Sequence, residues 1–168
     1  MRLTNRFYFF SLLLLLILNS GCKVSLSGAS VAPDTKNIKI PNFVNNAIKV
    51  NPSLAINLTE TLKNTITTQT PIAITSNKSD LELEGFVTNY DIQPLGISGQ
   101  GASENQLTIT VNIIFTNNKD ETKNFEQSFS RFAKAPASQN IASVENTLVD
   151  EVNKLLAQDI FNKIFINW

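Results

Sequence analysis

Cys22 is the chain's one cysteine, and it follows Asn19-Ser20-Gly21 and an apolar run from Phe7 to Leu18 that lies behind Arg2 and Arg6. In that setting the thiol can be diacylglycerylated and, once the chain is cut before it, the freed amine acylated. Two or three acyl chains, each contributing roughly 0.8 kcal/mol per buried methylene, make an effectively permanent membrane anchor. A basic start, a short apolar core and small residues before the cut have the layout of an export signal. The apolar stretch falls short of the roughly 20 residues that span a bilayer, and Asn19, Ser20 and Gly21 end it. Residues 1–21 are therefore read as a lipoprotein signal peptide, and 22–168 as a single mature domain anchored at Cys22.

The remaining polar groups offer little chemistry. No histidine occurs, which removes Ser-His-Asp and Cys-His nucleophilic catalysis, imidazole acid-base work and His-ligated zinc. Asp80, Glu82 and Glu84 alternate with Leu81 and Leu83, a spacing that lines three carboxylates along one side of a strand. A calcium site is conceivable there, but a solvated sheet face is the expectation. Asp120-Glu121 and Asp150-Glu151 are adjacent pairs, and sequence neighbours do not face one another as an acid-base couple must. Gly96-Ile97-Ser98-Gly99-Gln100-Gly101 lacks the Lys-Ser/Thr ending of a phosphate-binding loop and reads as a flexible link. The expectation is a non-enzymatic protein that needs no cofactor and no metal.

Of the chain's 14 basic residues, Arg2 and Arg6 leave with the signal, so 12 stand against 14 acidic ones, a formal charge of −2. That balance does not suit nucleic acid, which calls for clustered Lys and Arg. With Cys22 taken by lipid, no disulfide can form and packing must hold the fold. Lys119, Lys123, Arg131 and Lys134 surround the final hairpin, and the first three are candidate contacts for phosphorylated sugars, but Asp120, Glu121 and Glu126 interrupt the field and a mixed solvated surface is the expectation.

These residues must be positioned by a small set of elements. Asn37 to Ile40 alternates as a first strand. Asn51-Pro52-Ser53 opens a helix in which Leu54, Leu58, Leu62 and Ile66 recur every four residues. Pro71 and the preceding threonines end it before a short strand over 72–75. Segments 80–92, 106–116 and 123–132 read as an antiparallel meander. Leu107, Ile109, Val111, Ile113 and Phe115 occupy alternate positions in its clearest strand, as on a sheet with one buried face. A last helix begins near Ser138 with Ile141, Val144, Leu148, Val152 and Leu155 on one side. Phe161, Phe165 and Trp168 fall roughly opposite that stripe at about 100° per residue. Either the helix ends or bends there and they fold onto the chain's own core, or they are the candidate interface for a partner protein.

Across the mature chain the order and spacing of several segments resemble the LptE family of lipopolysaccharide-assembly lipoproteins. Cys22-Lys23-Val24-Ser25-Leu26-Ser27-Gly28 is similar to the lipidated opening, and Ile38-Lys39-Ile40-Pro41-Asn42-Phe43 to the first strand. Leu107 to Val111 and Phe115 to Asp120 resemble the central hairpin. Phe125 to Phe132 and Asp159 to Lys163 resemble the last strand and terminal helix. The resemblance implies an α+β fold, with two helices packed on one face of a roughly four-stranded mixed sheet as a two-layer sandwich. It also implies a lipoprotein on the periplasmic side of the outer membrane or inside a barrel lumen. There the family plugs and helps assemble the LptD-type β-barrel translocon and assists transport of lipopolysaccharide to the outer leaflet. Both that outer-membrane barrel and lipopolysaccharide are implied partners. Lys23, rather than an acidic residue, follows the cysteine, in keeping with an outer-membrane destination.

A competing reading is a lipid-anchored periplasmic activator of a peptidoglycan synthase. Strand-like sequence begins about 15 residues after Cys22, a tether too short to cross tens of ångströms at roughly 3.3 to 3.6 Å per residue.

Overall fold

The computed structural model describes Ala32 and residues 34–49, 51–96 and 103–166. The signal peptide, Cys22, most of the glycine-containing loop and Trp168 lie outside the described residues. Strand β1 (Asn37–Lys39) and the two-residue β2 (Val44–Asn45) lead into helix α1 (Leu54–Gln69). Strands β3 (Ala73–Thr75), β4 (Leu81–Leu95), β5 (Glu104–Asn117) and β6 (Phe125–Pro136) follow, and helix α2 (Ile141–Phe165) closes the fold.

The described strands form one mixed sheet in the order β3-β1-β4-β5-β6, with β2 also on β4. β1 runs parallel to β3 and β4, while β4-β5-β6 is the expected antiparallel meander. The sheet has six strands rather than about four because β2 and β3 are short additions on the β1 side. The two-layer α+β architecture is as expected.

Helix α1 forms on the spacing read from the sequence: Leu54, Leu58, Leu62 and Ile66 are wholly buried. Asn51 sets its entry without being its cap. The cap position is Ser53, and the Asn51 side-chain oxygen accepts from the Ser53 N–H at 3.2 Å and from its hydroxyl at 3.0 Å. The threonines near the end turn their hydroxyls back on carbonyls one turn earlier, Thr65 to Thr61 and Thr70 to Ile66, both at 2.8 Å. Such back-bonding weakens helix propensity, and Pro71 then lacks the N–H that would extend the helix.

On β5 the buried positions are Leu107, Ile109, Val111, Ile113 and Phe115, with partly exposed threonine and asparagine between them. β4 buries Leu81, Leu83 and Val87, then skips to Tyr90, because a bulge at Thr88 leaves that residue without an opposite number on β5. Were the strand to alternate regularly through Thr88, Tyr90 would point away from the core. Gly85 lies on the buried face where the Phe43 ring crosses the strand, and a Cβ there would come within 2.5 Å of that ring. Only glycine leaves room for it.

Helix α2 starts at Asn140, whose side chain accepts from the Ala142 N–H at 3.0 Å, slightly later than expected. It runs unbroken to Phe165, and its buried face winds. Leu148, Val149, Val152 and Asn153 are inward in the first half, and Leu156, Ala157, Ile160, Phe161, Ile164 and Phe165 in the second. Each four-residue step advances about 40° beyond a full turn, so a stripe followed in fours turns around the helix as it crosses a twisted sheet. Leu155, expected on the buried stripe, is 41% exposed, and Leu156 is buried in its place. Among the described residues no helix is long and apolar enough to cross a membrane.

Candidate functional site

Phe161 and Phe165 do not form a surface patch. Each is 1% exposed, their ring centroids lie 5.1 Å apart, and both belong to the chain's own core because the buried face of α2 has turned to meet them. The expected interface on these two rings is therefore corrected. The large apolar side chains left outside are scattered: Phe132 on the uncovered sheet face, Leu155 and Ile166 on or beyond α2, and Ile48 and Ile56 around the start of α1.

The turn from β5 to β6 is built by side chains that satisfy its backbone. The buried Asn117 carbonyl accepts from the N–H groups of Lys119 and Asp120, both at 2.9 Å. Asn124 closes the turn by accepting from the Asn117 N–H at 2.7 Å. Between them Glu121–Lys123 make one 3-10 turn, capped by Asp120 accepting from the Thr122 N–H at 3.2 Å.

Lys119 and Lys123 share this turn but do different things. The Lys119 ammonium donates to the backbone carbonyl of Asp34 and lies 3.5 Å from the Asp34 carboxylate and 3.3 Å from that of Asp80. Asp80 in turn accepts from the N–H of Lys36 at 2.7 Å and of Asn37 at 3.3 Å, while its own N–H donates to the Asn37 side chain at 2.8 Å. The Lys36 N–H, opposed by partial burial and reinforced by Lys119, holds the Asp80 carboxyl below its ordinary value. Lys119 is thus engaged in strapping the segment that precedes β1 to the hairpin.

Lys123 lies 3.8 Å from Asp120 and borders a cleft of about 270 Å³ lined by Phe115, Thr122, Asn124, Phe125, Lys163 and Ile164. Phe115 and Phe125 stack with centroids 5.2 Å apart. The Lys163 ammonium lies over the Phe125 ring, 5.3 Å from its centroid. Lys163 and Phe125 carry no sequence signal as a pair, since only the return of α2 to the hairpin brings them together.

Arg131 is elsewhere. From the middle of β6 it grips Asp159 of α2 with both ends of its fork, at 2.5 and 2.8 Å, and that carboxylate raises the guanidinium pKa. Lys134 pairs with Glu104 at 2.9 Å.

The three carboxylates read as one row do not act together. Asp80 turns to the strap, Glu82 sits 3.6 Å from Lys39, and Glu84 is exposed. Among the described residues no group of three or more acidic, histidine or cysteine side chains is placed to hold a metal. Asp150 and Glu151 are exposed on α2.

No curated protein matches the chain. Among solved structures it is similar to a minor lipoprotein from Acinetobacter baumannii, with a TM-score of 0.53 and 16% identity over 77% of this chain and 92% of that one. Rare lipoprotein B from Shewanella oneidensis is similar with a TM-score of 0.51 and 15% identity, covering 75% and 92% of the two chains. Lipoprotein B from Nitrosomonas europaea gives 0.50 and 16%, covering 76% and 80%. At these identities the likeness is one of fold. The model of the lipopolysaccharide-assembly family LptE matches residues 35–164, from the strapped segment before β1 through the last turn of α2. The chain belongs to the LptE lipopolysaccharide-assembly family.

Proposed function

We propose that this protein is a non-enzymatic outer-membrane lipoprotein, anchored through Cys22, that plugs and helps assemble an LptD-type β-barrel translocon and assists lipopolysaccharide transport to the outer leaflet. The observation that carries this reading is the family match over residues 35–164. The fold suits such a role physically. Both helices lie on one face of the sheet, and the other face presents Thr108, Thr110, Asn112, Ser128 and Ser130 with their side chains cross-linked, Thr110 to Ser130 at 3.0 Å and Ser128 to Asn112 at 3.3 Å. A hydrogen-bonded polar wall of this kind, with Glu84 and Glu126 on the same face, can line a wet lumen.

Lys119, Lys123 and Arg131 are proposed as lipopolysaccharide contacts, each at a cost. Phosphate reaching Lys119 or Arg131 must compete with Asp80 or with the forked pairing to Asp159. Phosphate reaching Lys123 must compete with Asp120, 3.8 Å away. The test is affinity purification of the tagged, lipidated protein from outer membranes. Recovery of one large β-barrel protein in equal amount is expected. Recovery of a peptidoglycan synthase, or of no stable partner, overturns the proposal.

A further inference from the structure

The cleft between the β5–β6 turn and the end of α2 combines two ammonium groups with an apolar floor. Lys123 and Lys163 border it, the partly exposed Phe125 ring and the methylene stems of the two lysines supply an apolar floor backed by the buried Phe115 and Ile164, and Thr122 and Asn124 add polar groups at the mouth. An inorganic anion would leave the floor unused, and a neutral lipid would leave the lysines unused. The chemistry that uses both is a phosphate ester carried on a hydrocarbon chain, since charge-assisted bonds to phosphate are strong and apolar surface removed from water is favourable.

The strap at Lys119 says which surface this cleft faces. The ammonium at position 119 holds Asp34, and Asp80 holds the backbone of Lys36 and Asn37. The chain therefore leaves the fold toward Cys22 beside the same turn that carries Lys123. Twelve residues separate Asp34 from Cys22, a reach of at most about 43 Å. The opposite end of β4, a strand of 15 residues, lies about 50 Å further on. The cleft is at the pole nearest the anchor, where the lipids of the anchoring leaflet are present at high effective concentration.

We propose that the cleft bordered by Lys123 and Lys163 binds the phosphate headgroup of a glycerophospholipid from the leaflet that holds the Cys22 anchor, with the first methylenes of its chains against Phe125 and the lysine stems. This rests on anchoring at Cys22 as proposed above, and not on which barrel surrounds the domain. Bound lipid fixes the tilt of the domain against the membrane, which a flexible tether alone cannot do.

The test is titration of the mature lipidated protein in nonionic detergent with dihexanoyl phosphatidylglycerol, followed by NMR of the lysine ammonium groups. Inorganic phosphate and lipopolysaccharide are titrated in parallel. The expected result is a saturable shift at Lys163 with the phospholipid, weakened about fivefold in Lys163→Gln and retained in Lys163→Arg, at unchanged melting temperature. If phosphate alone binds as tightly as the lipid, the apolar floor plays no part and the assignment falls. It falls equally if lipopolysaccharide alone shifts Lys163, or if nothing does. None of these results depends on co-purification of a barrel, so failure here is separable from failure of the translocon reading.

Discussion

The Lys119 ammonium lies 3.3 Å from one carboxylate oxygen of Asp80, while the other oxygen of Asp80 accepts the backbone N–H groups of Lys36 and Asn37. One acidic side chain at the start of β4 thus ties the incoming tether to the turn between β5 and β6. With the anchor proposed at Cys22, a pull on it becomes a load on the sheet rather than on a free chain end.

Asp80→Asn should loosen that strap. The amide keeps one acceptor but loses the charge that the Lys36 N–H and Lys119 favour, so amide hydrogen exchange at Lys36 and Asn37 should quicken while the β5 amides stay protected. The pH dependence has a definite sign. The folded pKa of Asp80 is lowered, so its contribution is present above the unfolded value of about 4 and is lost as pH falls through the folded one. Exchange at Lys36 measured on an acid titration checks it. Protection already lost within the ordinary carboxylate range, or unchanged however far the pH falls, counts against the strap.

Phe161→Ala and Phe165→Ala should each cost about 3 to 5 kcal/mol of stability, the usual toll of emptying a buried phenylalanine site. Both rings are 1% exposed and in contact with each other, so the double variant should be non-additive. Denaturant unfolding measures this. A variant that keeps its full stability while losing its partner would return these rings to the interface expected of them.

That reversal shows what was legible in the sequence. Leu54, Leu58, Leu62 and Ile66 on α1, and Leu107 to Phe115 on β5, are set by local periodicity, and the structure buries them as read. Phe161 and Phe165 were assigned to a fixed helical face, whereas the face that α2 buries rotates over 25 residues. The bulge at Thr88 has no local signature, because Leu81, Leu83 and Val87 continue the alternation until Tyr90 breaks it. Pairing across long sequence separations was the least legible: Arg131 with Asp159, Lys119 with Asp34 and Asp80, and Lys163 with Phe125 are each joined only by the folded topology.

Tyr90 ties the end of the sheet to both helix starts. Its hydroxyl donates to the Glu145 carboxylate, and burial, then that carboxylate, push the phenol pKa well above its ordinary value, opposed by a hydrogen bond from Asn51. A raised folded pKa means stability intact below the unfolded value of about 10 and lost as pH rises through the folded one. Tyr90→Phe should remove that alkaline loss and, at neutral pH, cost about 1 kcal/mol for the hydrogen bond given up. Melting temperature against pH for the two proteins checks both. Parallel curves above pH of about 10 would show that the phenol does not govern the alkaline limb.

Asn153 is the exception among the buried polar groups. It is 1% exposed, and among the described residues its amide nitrogen and oxygen are the buried side-chain atoms without a hydrogen-bond partner. It lies on α2 beside the buried Val149, Val152, Leu156 and Ala157, whereas Thr59, buried on α1, is satisfied by donating to the Ala55 carbonyl at 2.7 Å and accepting from the Phe43 N–H at 2.9 Å. An amide buried without partners costs about 1 to 3 kcal/mol, and leucine keeps its branched outline with bulkier methyl ends. Asn153→Leu should therefore raise stability by about that amount, against the general tendency of core substitutions to destabilise. Denaturant midpoints of the two proteins decide it. A loss of stability would mean that the amide is satisfied in the folded protein after all, and that the α2 core is built around a polar contact rather than in spite of one.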